Sequence, residues 1–345
     1  MKLFRRNQGT PPTMTLEGVL GPNNRLDRAE GRPAPGARAM AVASDGALLI
    51  NDKERLLRIS RWQDEAEVVA IADTPILTIA IAPSGAIALV CEGGRLKVLT
   101  KGFTATDWPD VTGLSAPVDA AFVTDDEVLV VESGTGAGED MLARATWEDA
   151  AKGSVVVLTR QGERRVVASG LHAPAGICID TQGRLLVTEM ERATIRDAAS
   201  GAVLQSGLPG YLARLRPMPG GYLLSCIARR DPLIEFLKTE TAFVNEMKET
   251  IKPIHWIAPR IDPNFSHDVP IEMGATRLFG EVKAWAPSFS YGLVIALDAN
   301  LRPIGSVQSR ANGSRHAITE ALHWDGSTIA LSLATGELLR TEPLA

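Results

Sequence analysis

The amino-acid sequence predicts an all-β protein, a six-bladed β-propeller with one helix-containing insertion in the region of the fifth and sixth blades. Three observations support this prediction. One unit occurs six times: an apolar strand, a turn built on Asp-Gly or a close equivalent, and a second apolar strand. Most of the turns follow one another at nearly constant distances, and 345 residues give room for six blades of about 40–50 residues each. Because a two-strand unit cannot bury its own faces, the repeats must pack against their neighbours, and a ring of such sheets encloses a channel.

The repeats can be located directly in the sequence. The clearest copies are residues 39–50 and 176–187. The weaker copies are residues 79–90, 120–131, 215–225 and 321–331. Gly46 and Gly85 lie 39 positions apart, which is the spacing expected of one blade. A further hairpin is predicted over 292–305, and 154–162 followed by 165–168 fits a pair of outer strands.

Two of the intervals between turns are longer than one blade. Residues 134–153 are predicted as a glycine-rich loop followed by a short helical turn. Residues 229–290 form the larger insertion, in which Asp231 and Pro232 are a favourable helix start and apolar residues recur at helical spacing as far as Ile251. The remaining residues, 254–290, are predicted to be a long loop over one end of the propeller, where such loops often act as lids.

We expect residues 1–345 to form one propeller domain. The N-terminal segment, residues 1–30, is predicted to supply the strand that closes the ring. The candidate strand is 16–20, placed beside 338–341, because closure removes the free edges of the first and last sheets.

Composition narrows the classes of function. A formal net charge of -5 without a basic stripe argues against nucleic-acid binding. No apolar run approaches the ~20 residues of a membrane span, and the basic start does not continue into the apolar core of a signal peptide. Three cysteines without close spacing predict neither disulfides nor a metal motif. The expected location is the cytoplasm and the expected partner a small-molecule substrate; the oligomeric state is left open.

Three stretches carry a resemblance to a known family. Residues 207–225, followed by the helix from Asp231, together with 291–298 and 318–326, resemble the strictosidine-synthase-like family of six-bladed propellers. That family is related to gluconolactonases, regucalcin and paraoxonases. The resemblance covers residues 30–340 and implies an enzyme that acts on a small organic substrate in the central channel.

The resemblance also implies where a metal would bind. Metal-dependent relatives hold calcium or a similar divalent ion at the channel mouth through Glu, Asn and Asp side chains, and a hard cation prefers such oxygen ligands. The corresponding positions here are Arg38, Ala175 and the pair Gly210–Tyr211. We therefore predict no metal and no other cofactor.

The metal-free members of the family use a glutamate of the last blade as a general base. That glutamate corresponds to Thr319, with Glu320 one position further along. Alternation along a strand points these two side chains to opposite faces, so Glu320 is a candidate catalytic residue that the resemblance supports only in part.

Four acidic residues follow apolar runs and are predicted to converge on the channel mouth. They are Asp52, Glu92, Glu132 and Glu189. Carboxylates in a pocket can act as general acids or bases, and we select Glu189 and Glu132 for catalysis and Glu92 and Asp52 for substrate binding. The alternative is that these carboxylates cap loops or pair with nearby arginines.

Four further residues complete the candidate site. His172 precedes the fourth inner strand and is a candidate acid or base, and His316 occupies a similar place before the sixth. Arg38 and Tyr211 can bind an anionic or carbonyl group of the substrate directly. Alternatively, Arg38 pairs with a neighbouring carboxylate such as Glu132.

The sequence leaves three functions open. The first is a metal-independent enzyme that forms C–N bonds, eliminates or hydrolyses by acid–base chemistry. The second is a metal-dependent lactonase or esterase, and the third is a propeller that binds a small molecule without catalysis.

Overall fold

The protein is a six-bladed β-propeller, as its sequence predicts. The computed structural model describes residues 16–136, 139–148, 150–259, 261, 277–278, 281–282, 291–310 and 314–344. Within those ranges, no helix has the length and apolar character that crossing a membrane requires.

The blades follow one another in chain order after a first strand, β1 (Glu30–Pro33), that belongs to the last blade. Blade one contains β2 (Met40–Val42), β3 (Leu48–Asp52), β4 (Arg55–Ile59) and β5 (Glu67–Ile71). Blade two contains β6 (Ile76–Ile81), β7 (Ile87–Cys91) and β8 (Arg95–Leu99). Blade three contains β9 (Pro117–Thr124), β10 (Glu127–Glu132), β11 (Gly153–Thr159) and β12 (Arg164–Leu171), with helix α1 (Glu139–Trp147) between β10 and β11.

The second half of the ring has the same plan. Blade four contains β13 (Pro174–Ile179), β14 (Leu185–Glu189), β15 (Thr194–Asp197) and β16 (Val203–Gln205). Blade five begins with β17 (Gly210–Met218) and β18 (Gly221–Arg229). An insertion follows, with α2 (Pro232–Leu237), α3 (Thr241–Thr250), a 3-10 turn (Pro253–His255) and the short strands β19 (Arg277–Leu278) and β20 (Glu281–Val282). Blade five ends with β21 (Gly292–Asp298) and β22 (Pro303–Ser309), and blade six contains β23 (Ile318–Trp324), β24 (Ser327–Ser332) and β25 (Glu337–Thr341).

All six predicted hairpins form, and each supplies the two innermost strands of one blade. Five of the six turns contain a glycine with a positive φ between 66° and 90°. These are Gly46, Gly85, Gly183, Gly220 and Gly326. A residue with a Cβ is strained in this conformation, which is why the glycine spacing reports the blade spacing.

The N-terminal chain closes the ring with different residues from those predicted. β1 pairs antiparallel with β25, so that Glu30 lies opposite Arg340. The predicted closing strand, 16–20, instead contains a 3-10 turn at Gly18–Leu20 beside β22, where the Gln308 side-chain amide donates to the Leu20 carbonyl at 3.0 Å. β1 is mostly exposed and has no apolar alternation, so its sequence does not indicate a strand.

Six apolar clusters fill the six interfaces between neighbouring blades. Between blades one and six, for example, Met40 and Leu48 pack against Leu322 and Trp324. Each blade therefore buries both of its faces against its neighbours, and this burial is the main driving force for the fold.

The insertion contains two helices where the sequence predicted one. The amides of Thr239 and Glu240 donate to the carbonyls three residues earlier, at 2.9 and 3.0 Å, and this tight turn ends α2. Helix α1, predicted as a short helical turn, packs on the insertion, where the Trp147 indole donates to the Ile257 carbonyl at 2.5 Å. The greater part of the predicted lid, 262–290, lies outside the described residues, apart from β19 and β20.

Candidate functional site

A cavity of about 640 Å³ opens at the end of the channel where the six innermost strands begin. Residues at or near the start of each innermost strand line it, so every blade contributes. Its charged lining residues are Arg38, Lys53, Glu92 and Arg214, and its uncharged polar ones are Asn51, Ser133, Thr135 and Thr319. The rest of the described lining is apolar, which with this volume is typical of small-molecule sites of about 300–1,000 Å³.

The chain turns sharply before it enters several of the innermost strands. Ala116, Ala173 and Ala317 each precede such a strand and have positive φ values of 49°, 42° and 53°. The carbonyls of Ala116 and Ala173 accept hydrogen bonds from the amides of Ser133 and Met190, at 3.1 and 3.2 Å. These repeated turns bring the strand starts together around the cavity.

The cavity floor is the side chain of Arg214, which is almost completely buried. Its guanidinium donates to the carbonyls of Arg38, Leu77 and Val118 at 2.9, 2.7 and 2.9 Å. The same group donates to the Glu320 carboxylate at 2.8 Å. A single cation thus binds the innermost segments of blades one, two and three to blades five and six.

Below the floor, Asp119 and Arg216 form the centre of a buried ion cluster. The Asp119 carboxylate accepts from the Thr78 hydroxyl at 3.0 Å and from the Ile177 amide at 2.9 Å. Arg216 donates to both of its oxygens, at 2.7 and 2.9 Å. Burial by itself raises the pKa of Asp119, but the charge and hydrogen bonds of Arg216 outweigh it and hold this pKa below its ordinary value.

Glu320 completes the cluster from the last blade. Its carboxylate accepts from the Met40 amide at 2.6 Å and from Arg216 at 2.7 Å, in addition to Arg214. Two arginines and two carboxylates therefore balance one another in charge. The predicted catalytic residue Glu320 lies in this cluster, and the neighbouring Thr319 lines the cavity, as strand alternation predicts.

The predicted catalytic residues Glu132 and Glu189 are the last residues of β10 and β14 and are buried. Glu132 accepts from the Ser115 amide at 2.7 Å and from Arg164 at 2.8 Å. Glu189 accepts in the same way from the His172 amide at 2.8 Å, and it pairs with Arg196 at 3.2 Å. Neither carboxylate lines the cavity; both tie the loop before an innermost strand to their own blade, which agrees with the alternative reading of the sequence.

Glu92 occupies a different position, and this difference has a simple origin. In blade two, Cys91 is the residue that pairs with the start of the innermost strand. Glu132 and Glu189 hold this position in blades three and four, so Glu92 lies one residue beyond the position that they occupy. The equivalent residues in blades three and four are Ser133 and Met190, and all three line the cavity. Because a shift of one residue reverses the direction of a side chain, the four predicted carboxylates do not converge on one site.

Glu92 lies close to Arg38 at the cavity mouth. Their nearest charged atoms are 3.7 Å apart, and the side chains are 46% and 56% exposed. Arg38 thus lies beside a neighbouring carboxylate, in agreement with the alternative that the sequence offered, but this carboxylate is Glu92 and not the suggested Glu132. The structure gives the Glu92 carboxylate no hydrogen-bond donor among the described residues, so its oxygens can accept a proton from a bound molecule.

The other predicted site residues lie outside the cavity lining. Tyr211 is buried behind the cavity wall, where burial raises the pKa of its hydroxyl well above the ordinary value. Asp52 forms an ion pair with Arg55 at the surface. His316 is buried and its carbonyl accepts from Ser332, and the His172 side chain does not line the cavity either. These four residues do not form one site with Glu92.

The residues at the family's metal positions do not fit a divalent cation. Arg38 carries a positive charge and Ala175 has no donor atom, while Tyr211 is buried behind the wall. Three inward carbonyls are already bound by the Arg214 guanidinium. No group of three or more potential side-chain ligands occurs in the part of the chain that the structure describes.

The three cysteines are buried and unpaired, as the sequence suggested. Burial raises the pKa of the Cys91 thiol to about 11 and that of Cys178 to about 12. A protonated thiol is a poor nucleophile, so these residues act as small apolar side chains.

Comparison with known proteins supports the fold. No family model and no curated protein matches the sequence. A crystal structure of a provisionally assigned gluconolactonase aligns over 91% of this chain and 92% of that one, with 12% identity and a TM-score of 0.51. A luciferin-regenerating enzyme aligns over 93% and 95%, with 9% identity and a TM-score of 0.53. At these identities the similarity establishes a common fold.

Proposed function

We propose that the protein is a metal-independent enzyme that acts on a small organic substrate in this cavity, with Glu92 as the group that transfers the proton. One observation carries the proposal: among the acidic residues that the structure describes, Glu92 alone lines the cavity. The reaction belongs to the class that the resemblance to strictosidine-synthase-like propellers suggests, which is C–N bond formation, elimination or hydrolysis.

The environment of Glu92 suits this role. Its carboxylate is accessible from the cavity, and the nearby guanidinium of Arg38 can orient it. A carboxylate in this position can remove a proton from an amine, from an activated carbon or from a water molecule that attacks a carbonyl. Such general base catalysis contributes about 10²–10⁴-fold to a rate.

The test compares turnover by Glu92→Gln with turnover by the unchanged protein. The substrates are an aryl ester, an aliphatic lactone, a β-substituted carbonyl compound that can eliminate, and an arylethylamine with an aldehyde. Glu67→Gln, an exposed substitution on the outer strand β5, is the matched control. We expect Glu92→Gln to lose about 10²–10⁴-fold in kcat on the substrate that the protein converts, and Glu67→Gln to lose nothing. Full turnover by Glu92→Gln would overturn the role of Glu92.

A metal-dependent lactonase is distinguished by the same assay. Turnover that persists in a strong chelator supports the metal-independent proposal. If a chelator abolishes turnover and added calcium restores it, the metal-independent proposal is contradicted. The protein would then be a metal-dependent lactonase or esterase, the second function that the sequence left open.

A second candidate, a small-molecule binder without catalysis, is favoured by one specific observation. Glu132 and Glu189 are committed to contacts within their own blades, and Glu320 is committed to a contact between blades five and six. Binding in the cavity without turnover on any substrate of the panel would favour this candidate over the enzyme.

A further inference from the structure

We infer that the cavity binds an apolar organic monoanion whose charged group lies at Lys53. The inference rests on the proposed function, since it names the substrate class of the same cavity. It comes from the balance of charge around the cavity and from the position of one lysine that neither the resemblance nor the sequence patterns singled out.

The described lining contains three cations and one anion, and two of the cations are neutralised. Arg214 is held by the buried cluster, in which two arginines face two carboxylates. Arg38 lies beside Glu92. Lys53 has no ion-pair partner among the residues that the structure describes. The lining therefore has one positive charge in excess, at Lys53, and a ligand with one negative charge would balance it.

The backbone of Lys53 is fixed at the cavity mouth. Its φ is 54°, a left-handed conformation that is unfavourable for any residue with a Cβ. Its amide donates to the Gly36 carbonyl at 3.1 Å, and its carbonyl accepts from the Ile76 amide at 2.9 Å and the Asn51 side chain at 3.2 Å. Strained backbone that the surroundings hold on both sides is concentrated at functional sites. Lys53 is exposed and lines the cavity, so its ammonium can reach a ligand that enters the mouth.

The rest of the lining indicates whether the uncharged part of the ligand is apolar or polar. Next to Lys53 on the ring lie Pro75, Ile76 and Leu77, and the opposite wall includes Met141, Met190 and Ile227. These apolar surfaces favour a hydrocarbon or aromatic body over a sugar, whose hydroxyls would lose their hydrogen bonds to water. The other exposed cation of the lining, Arg38, already lies beside Glu92, and the wall is apolar, so a second negative charge on the ligand is disfavoured.

Three probes with the same alkyl chain and different head groups test the inference: octanoate, octanol and octylamine. Their affinities are measured by calorimetry at low salt with the full-length protein. We expect octanoate to bind up to about fivefold more tightly than octanol, because Lys53 is exposed and an exposed ion pair contributes up to about 1 kcal/mol, which corresponds to about fivefold. Octylamine is expected to bind most weakly.

Substitutions at Lys53 assign the preference to this residue. Lys53→Gln should remove the difference between octanoate and octanol, and Lys53→Glu should reverse it in favour of octylamine. Lys101→Gln, at an exposed loop position away from the cavity, should change nothing. Thermal unfolding of each variant confirms that it is folded.

Three results would overturn the inference: equal binding of octanoate and octanol, failure of all three probes to bind, or a preference for octanoate that survives Lys53→Gln. Its failure can be told apart from failure of the proposed function. If Lys53 controls octanoate binding but Glu92→Gln retains turnover, the ligand class stands and the catalytic role falls. If Glu92→Gln loses turnover while the head group has no effect on affinity, the catalytic role of Glu92 stands and the ligand class falls.

Discussion

The cavity mouth and the ion cluster beneath its floor use the same residue types in opposite ways. In the cluster, Arg214 and Arg216 are 7% and 14% exposed, and the carboxylates they bind are fully buried. At the mouth, Arg38 and Glu92 are about half exposed and 3.7 Å apart. A buried carboxylate with donors to both oxygens is a structural element, whereas an accessible one with few donors remains available for chemistry.

The energetic difference between the two regions follows from their surroundings. Charges taken out of water require close partners, and removal of one partner leaves another charge buried and uncompensated. Exposed ion pairs are screened by water and salt and contribute about 0–1 kcal/mol. The comparison therefore predicts large effects on stability below the floor and small ones at the mouth.

The largest expected effect comes from Arg216→Met. This substitution removes the hydrogen bonds to both Asp119 and Glu320 and leaves two buried carboxylates to share Arg214. We expect the free energy of unfolding in denaturant to fall by about 3–5 kcal/mol. Arg38→Met is the matched control at the mouth and should cost no more than about 1 kcal/mol. Equal losses from the two substitutions would contradict the distinction between the regions.

An intermediate effect is expected from Glu189→Gln. The amide keeps one acceptor oxygen for the His172 amide but loses its charge opposite Arg196. Because Arg196 is partly exposed and can turn to water, the expected loss is about 1–3 kcal/mol. Turnover measured well below the unfolding temperature should stay close to that of the unchanged protein. A large loss of turnover with full stability would instead restore Glu189 as a catalytic residue.

The smallest effect is a dependence of stability on pH. The pKa of Asp119 is lower in the folded protein than its ordinary value of 3.8, despite the opposing effect of burial, because Arg216 stabilises the charged form. A lowered pKa means that the contribution to stability is present above about pH 4 and is lost as the pH falls through the folded value. Asp119→Asn should accordingly destabilise the protein near neutral pH, and the gap to the unchanged protein should narrow below about pH 4. A gap that stays constant with pH would contradict the lowered pKa, because it would mean that the folded and unfolded states bind this proton equally tightly.

The architecture could be predicted from the sequence because its signal is local. The turn glycines repeat, and each hairpin consists of adjacent residues, so the six inner pairs of strands were located correctly. The closing strand β1 was not, because its exposed Glu-Gly-Arg-Pro sequence carries no strand pattern and its pairing depends on β25 at the far end of the chain.

The site was less predictable because it depends on register and on closure of the ring. The sequence favours Glu132 and Glu189 over Glu92 for catalysis, although a difference of one residue decides which side chain enters the cavity. Arg214 and Arg216 have the spacing of two residues on one face of a strand, and that signal was present in the sequence. Their partners Asp119 and Glu320 come from other blades, however, and only the closed ring brings them together.

The most direct test of the distinction is one paired measurement of stability and turnover on Glu92→Gln and Glu132→Gln. The two variants carry the same chemical change at positions that differ by one residue in register. We expect Glu92→Gln to unfold at nearly the same temperature as the unchanged protein and to lose turnover by about 10²–10⁴-fold. We expect Glu132→Gln to unfold at a lower temperature and to keep its turnover. The opposite pattern, a stable but inactive Glu132→Gln with an active Glu92→Gln, would contradict the assignment of chemistry to the cavity mouth.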